Sequence, residues 1–269
     1  ARKFLDHVMA GKLPKPGRIS LSPMLSYRGK LCGDLTVACF DENEFMVFGS
    51  GAAQEMHRRW FESHLDKFDV NYKNRSDEFH GISIAGPNSR KVLEKIVRDN
   101  VTNEKFKFRD SRRMFVGGVP AIINRISFTG ELGYEIYVAP HYQIKLYEEL
   151  MEAGKEFNIK PFGGRALMSM RLEKNWGAWT LDYRPDFTAK ETGLDMFINW
   201  DKDFIGKEKA KSENSSNKLT PLIVETNDID VTSNEAVMNG DQSIGYVTSG
   251  GFAHFVNKSV AFTFIDQNK

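Results

Sequence analysis

Residues 212–218 read SENSSNK, seven positions without a single apolar side chain. Such a stretch brings nothing to a hydrophobic core, so the apolar patterns on either side of it must close separately. Upstream, strand-length and helix-length runs interleave. Phe4, Leu5, Val8 and Met9 sit at helical spacing near residues 1–10, and Gly11 ends that run. LSPMLSYRGKLCGDLTVACF (21–40) reads as a hairpin turning at Arg28 and Gly29, and NEFMVFGS as a further strand. Residues 51–65 carry a helical pattern. FHGISIAGPNSRKVLEKIV reads as a strand followed by a helix, with Pro87 at the first helical position. MFVGGVPAIIN predicts two strands around a Gly-Gly turn. A helix from Pro140 places Ile144, Tyr147, Leu150 and Met151 on one face, and another helix spans 163–174. Downstream of the linker only short strands and turns remain. The pattern predicts an α+β fold: interleaved strands and helices over 1–211, and a small β module over 217–269.

The 269 residues suffice for a substantial core, and the net charge of +1 gives no field for nucleic acid or an anionic membrane. Arg58-Arg59 and Arg112-Arg113 lack interleaved aromatics and read as solvated faces. No apolar run is long enough to span a membrane, and no signal peptide opens the chain. His7, His57, His64, His80, His141 and His254 are scattered without metal-ligand spacing, so no metal is expected. GxGxxG and GxxxxGK[ST] are absent, which leaves a Rossmann or P-loop nucleotide site unsupported. Cys32 and Cys39 fall seven apart on one strand, on opposite faces and too distant to bridge. Free thiols fit a reducing compartment: the cytoplasm, or the mitochondrial matrix in a eukaryote. The first residues already follow a helical pattern without an initiator Met, and the last strand stops abruptly. Both ends therefore read as cut from a longer polypeptide.

Ser127–Val138, SFTGELGYEIYV, opens and closes like a strand but carries Gly130 and Gly133, and sets Glu135 between Tyr134 and Tyr137. The glycines permit positive φ or a close backbone approach, and a kink there would re-aim Glu135. A carboxylate suits a heterocycle that presents two N–H donors side by side. A hairpin turn with solvated glutamates fits the same residues. Asp34 follows Gly33 at the head of an alternating strand. It reads as a turn residue or, beside apolar neighbours, as a proton acceptor with a raised pKa. In GGRALMSMRLEK, Arg171 reads as part of a charged helix end or as the holder of a ligand carboxylate.

SPMLSYRGKLCGDLTV, ISIAGPNSRKVLEKI, RISFTGELGYEIYV, MRLEK, KDFIGKEKA and IGYVTSGGFAHFVNKSVAF, in this order, resemble the glycine cleavage T-protein (aminomethyltransferase) family. The resemblance covers nearly the whole chain. GELGYEIY with RLEK and FIGKE looks most like the folate-binding C-terminal part of dimethylglycine and sarcosine dehydrogenase. The resemblance implies a three-module cloverleaf around a central cavity for tetrahydrofolate: two interleaved α+β modules over 1–211 and a small C-terminal β-barrel module over 217–269, with the family's N-terminal segment missing before Ala1 and the barrel cut short. It implies transfer of an aminomethyl or methylene unit to folate nitrogens. Carried over by motif, Asp34 is the acidic residue near the reacting nitrogens, Glu135 binds the pterin, Tyr134 packs nearby, and Arg171 supports the site or the folate tail. Phe128 stands where many dehydrogenase-type relatives carry Tyr, so a hydroxyl near the reacting centre is lost. The implied partners are a methylated amine or aminomethyl donor, with a flavin-dependent dehydrogenase module or a lipoyl carrier protein. Two alternatives accompany this reading. One is the glycine cleavage T-protein itself. The other is a non-catalytic folate-binding or assembly factor, whose iron–sulfur paralogues carry a KGC-type motif where this chain has Phe204-Ile205-Gly206.

Overall fold

The computed structural model describes residues 1–269. It holds three antiparallel sheets, each with its own helical cover. Helix α1 (Arg2–Val8) precedes β1 (Arg18–Leu25), β2 (Leu31–Asp41) and β3 (Glu44–Phe48), which pair in that order. The β1–β2 hairpin turns at 26–29, where Gly29 takes positive φ. Phe4, Leu5 and Val8 of α1, and Met9 just after it, bury against Met24, Leu35 and Val37 of this sheet and Phe61 of α2 (Gln54–Glu62). Cys32 and Cys39 are both free and buried.

The second sheet contains β4 (His80–Ala85), β5 (Ser111–Val116), β6 (Val119–Asn124) and β7 (Gly133–Val138), in the order β4-β7-β6-β5. Helices α3 (Ser89–Ile96) and α4 (Gln143–Gly154) cover one face of it. Val92, Leu93, Leu146 and Leu150 pack there with Ile84, Ile123, Tyr134 and Ile136. Two local readings change. Helix α3 begins at Ser89, so Pro87 belongs to the turn ahead of it. The core stripe of α4 is Leu146, Leu150 and Ala153, whereas Ile144 is 72% exposed. Leu150 belongs to both apolar stripes of this helix, and packing against α3 selects the one that includes Leu146.

Helices α5 (Gly164–Glu173), α6 (Ala189–Thr192) and α7 (Lys207–Lys211) lead to the third sheet. Its strands β8 (Asn217–Val224), β9 (Ala236–Asn239), β10 (Gln242–Ala253) and β11 (Lys258–Asp266) pair in the order β8-β11-β10-β9. Leu172 of α5 packs on Ala253, Val260 and Phe262 of this sheet. The polar linker is tied down: Ser215 donates to Glu191, and Lys30 lies 3.7 Å from Glu213. No helix is long and apolar enough to cross a membrane.

Candidate active site

Strand alternation on two sheets aims the candidate carboxylates into one cavity. On β2, Leu35 and Val37 face the core while Asp34 and Thr36 face the other way. On β1, Leu21 pairs with Thr36 and adds an apolar wall. On β7, Tyr134, Ile136 and Val138 enter the core, while Glu135 and Tyr137 point to the opposite face. The result is a cavity of about 600 Å³ lined by Asp34 and Glu135, with Phe48, Phe128, Tyr137, Trp176 and Trp179 among its walls. Phe128 and Glu135 also line a neighbouring groove of about 760 Å³, so these two side chains form the boundary between the two spaces.

The cavity is mostly apolar, and this governs its ionisable groups. Burial pushes the Asp34 carboxyl from 3.8 up to about 7. Glu135 is also raised by burial, opposed by the hydrogen bond from the Tyr137 hydroxyl (2.8 Å) and by the Lys174 charge. Tyr137 is pushed far above its usual range by burial and by the charge of Glu135. Its ring lies 4.5 Å from that of Phe48, centroid to centroid. Phe128 brings no hydroxyl, but the Tyr137 phenol supplies one to the same cavity.

The two glycines act differently from the expectation. The strand proper starts at Gly133 and runs in unbroken register with β4, with Ser83 opposite Glu135. Nothing bends at Glu135; ordinary two-residue alternation aims it. Gly133 is needed because a Cβ there would come within 2.9 Å of the Ile84 carbonyl oxygen. Gly130 sits in the preceding turn at φ +83, with the Lys174 stem packed against it. That turn is held by Ser127, whose hydroxyl accepts from the Thr129 backbone N–H at 3.1 Å.

Two expected residues lie elsewhere. Tyr134 is fully buried in the second sheet's core, stacked on Phe106 with centroids 5.8 Å apart. As the immediate neighbour of Glu135 on a strand, it must face away from the cavity. Arg171 is 1% exposed and does not reach the cavity. Its guanidinium donates to Asp182 at 2.5 Å and to the Trp176 carbonyl at 3.1 Å. The other Asp182 oxygen accepts from Thr248 (2.5 Å) and Ser249 (2.7 Å) on β10. Arg171 thus pins the segment that carries Trp176 and Trp179.

Several further residues line the cavity. Tyr137 was legible, since it lies two positions after Glu135 on one strand face. Lys174 ends the RLEK run and lines the cavity, donating to the Ser127 carbonyl at 2.7 Å. Phe108 and Arg109 also line the cavity, and both are exposed. Arg109 holds φ at 68° and bonds the Ile19 carbonyl at 3.2 Å. Local sequence around it gives no signal of this role.

The sequence and the fold match known proteins. Residues 1–202 match the family model described as the GCVT N-terminal domain, and residues 217–269 match the glycine cleavage T-protein C-terminal barrel domain. Mitochondrial dimethylglycine dehydrogenase of Homo sapiens is 35% identical over 271 residues, covering 98% of this chain. The chain spans 31% of the length of that relative. An aminomethyltransferase of Thermoanaerobacter pseudethanolicus is 29% identical over 273 residues, covering 99% of this chain and 73% of its own. The crystal structure of the glycine cleavage system aminomethyltransferase T from Bartonella henselae superposes with a TM-score of 0.85 at 22% identity, over 98% of this chain and 73% of that one. The same fold therefore accommodates extensive sequence divergence, and the chain belongs to the glycine cleavage T-protein family.

Proposed function

We propose that this chain transfers a one-carbon unit to tetrahydrofolate, as the folate-binding part of a dimethylglycine- or sarcosine-type demethylating system. The observation that carries this reading is the placement of Asp34 and Glu135, from two different sheets, in one aromatic-walled cavity. The cavity fits the group: its volume suits a bicyclic ring with an aryl extension, and its aromatic walls suit the faces of such a ring. Tetrahydrofolate, when bound, supplies the nitrogens that accept the one-carbon unit.

Glu135 accepts the paired N–H donors of the pterin edge and fixes ring orientation. The hydroxyl of Tyr137 holds the Glu135 carboxylate in place at 2.8 Å. Asp34 takes the proton that must leave the reacting nitrogen. Its pKa of about 7 suits this task, because a base is most effective with a pKa near the working pH. As a carboxylate it also stabilises the cationic one-carbon donor. The apolar walls exclude water and strengthen both interactions. Arg109, exposed beside this cavity, holds the carboxylate tail of the folate.

The donor in this reading is a methylated amine oxidised by a flavin-dependent module. Dimethylglycine dehydrogenase is among the more similar relatives, which favours this donor over an aminomethyl group on a lipoyl carrier protein. Rate stimulation by a lipoyl carrier would reverse that preference. The mitochondrial matrix or the cytoplasm is the proposed location. Equilibrium binding of tetrahydrofolate to the 269-residue chain and to Glu135→Ala tests the assignment. Tight binding that the substitution abolishes is expected. A folded chain that does not bind refutes it.

A further inference from the structure

Lys174 sits where α5 ends, at the C-cap, and its side chain joins the cavity wall. Its stem packs against Gly130 in the 127–132 turn. Gly130 and Lys174 fit as a pair, since a Cβ at 130 would lie 3.2 Å from the Lys174 Cβ. The ammonium donates to the Ser127 carbonyl at 2.7 Å and lies 5.1 Å from the Trp176 ring centroid. An ammonium carries three N–H donors, and this carbonyl is its one hydrogen-bonding protein acceptor. The group is electrostatically coupled to Glu135, yet the two form no ion pair within 4 Å. Other ionisable groups on the cavity wall are Asp34, Tyr137 and Arg109. The cavity therefore presents a carboxylate acceptor and, beside it, an ammonium with donors to spare.

We propose that Lys174 is a specificity-determining residue that donates to the ring carbonyl of the pterin. The inference rests on the folate reading given above. The pyrimidine edge of a 2-amino-4-oxo pterin offers an amino group, a ring N–H and a carbonyl in sequence. Glu135 takes the two donors, and Lys174 takes the adjoining acceptor. A ring with an amino group at position 4 has lost that acceptor and sets a second donor against a cation; its N3 also carries no proton for Glu135, so the contribution of Lys174 is read from the change that Lys174→Met makes. A site built around a hydrogen-bonding group discriminates strongly against an analogue that lacks it.

The test compares equilibrium binding of tetrahydrofolate and its 2,4-diamino analogue to the unsubstituted chain, Lys174→Met and Lys174→Arg. The unsubstituted chain should prefer the oxo ring. Lys174→Met should weaken oxo-ring binding about tenfold to a hundredfold, as expected for a lost charge-assisted bond, and leave the diamino analogue within about twofold. Lys174→Arg should restore the preference. Equal weakening of both ligands by Lys174→Met overturns the assignment, because a purely structural role disturbs both alike. An unchanged oxo-ring affinity overturns it as well. If the unsubstituted chain binds oxo and diamino rings equally, the assignment fails while the folate reading stands. If it binds neither, the folate reading fails and this inference falls with it.

Discussion

Asp34 should cost this protein stability in proportion to its readiness for catalysis. Burial raises its pKa from 3.8 to about 7, a difference worth about 4 kcal/mol at 1.36 kcal/mol per unit. The sign follows from proton binding. Between those two values the unfolded chain has released the proton and the folded chain retains it. Stability therefore falls as pH rises from about 4 to about 7, and the loss is complete above that range. Asp34→Asn keeps the shape and removes the ionisation. The Tm of Asp34→Asn, relative to the native chain, should climb across this window and then level off. For a chain of this size, 4 kcal/mol corresponds to a gain of about 10 °C. Any fixed cost of the buried amide shifts the whole curve and leaves its pH dependence intact. In parallel, kcat/KM of the native chain should rise with pH through about 7, while Asp34→Asn should lose roughly a hundredfold or more in turnover. Thermal unfolding followed by circular dichroism at pH 5, 6, 7 and 8 reads the first effect, and product formation from tetrahydrofolate reads the second. A Tm difference that does not change with pH would refute the burial argument. Unchanged turnover in the variant would refute the role of Asp34 as the base.

Arg171→Met should strand the Asp182 carboxylate without its cation and destabilise the fold by about 3–5 kcal/mol, read as a lower Tm and a lower urea midpoint. Replacing Asp182 by Asn in the same background should recover part of that loss, because the uncompensated charge is then gone. Arg109→Ala should weaken tetrahydrofolate binding about tenfold while leaving affinity for a pterin without the glutamyl tail unchanged, since the removed guanidinium meets only the tail. Equal weakening of both ligands by Arg109→Ala would remove Arg109 from the tail site.

The parts of this protein that could be read from its sequence are those whose cause is local. The β1–β2 hairpin and the helix α1 each follow from a few adjacent residues, and the structure places them as expected. The faces of Asp34 and Glu135 have an equally local cause, the alternation of each strand, although the glycines beside Glu135 suggest a kink that the structure does not contain. Tyr134 shows the limit of motif transfer. It belongs to the recognisable run, but strand parity alone places it opposite Glu135 and away from the cavity. Arg171 and Arg109 show a different limit. A sequence does not reveal that Asp182, Thr248 and Ser249 converge on one buried network, nor that residue 109 reaches the mouth of a cavity built by distant strands. Because Asp182 collects two hydroxyl donors from β10 and the guanidinium of Arg171 from α5, the third sheet and the Trp176–Trp179 wall are held by the same buried charge pair. The C-terminal sheet thereby stiffens a cavity to which it contributes no lining side chain. Damage to that sheet should consequently appear as loose ligand binding before it appears as loss of the fold.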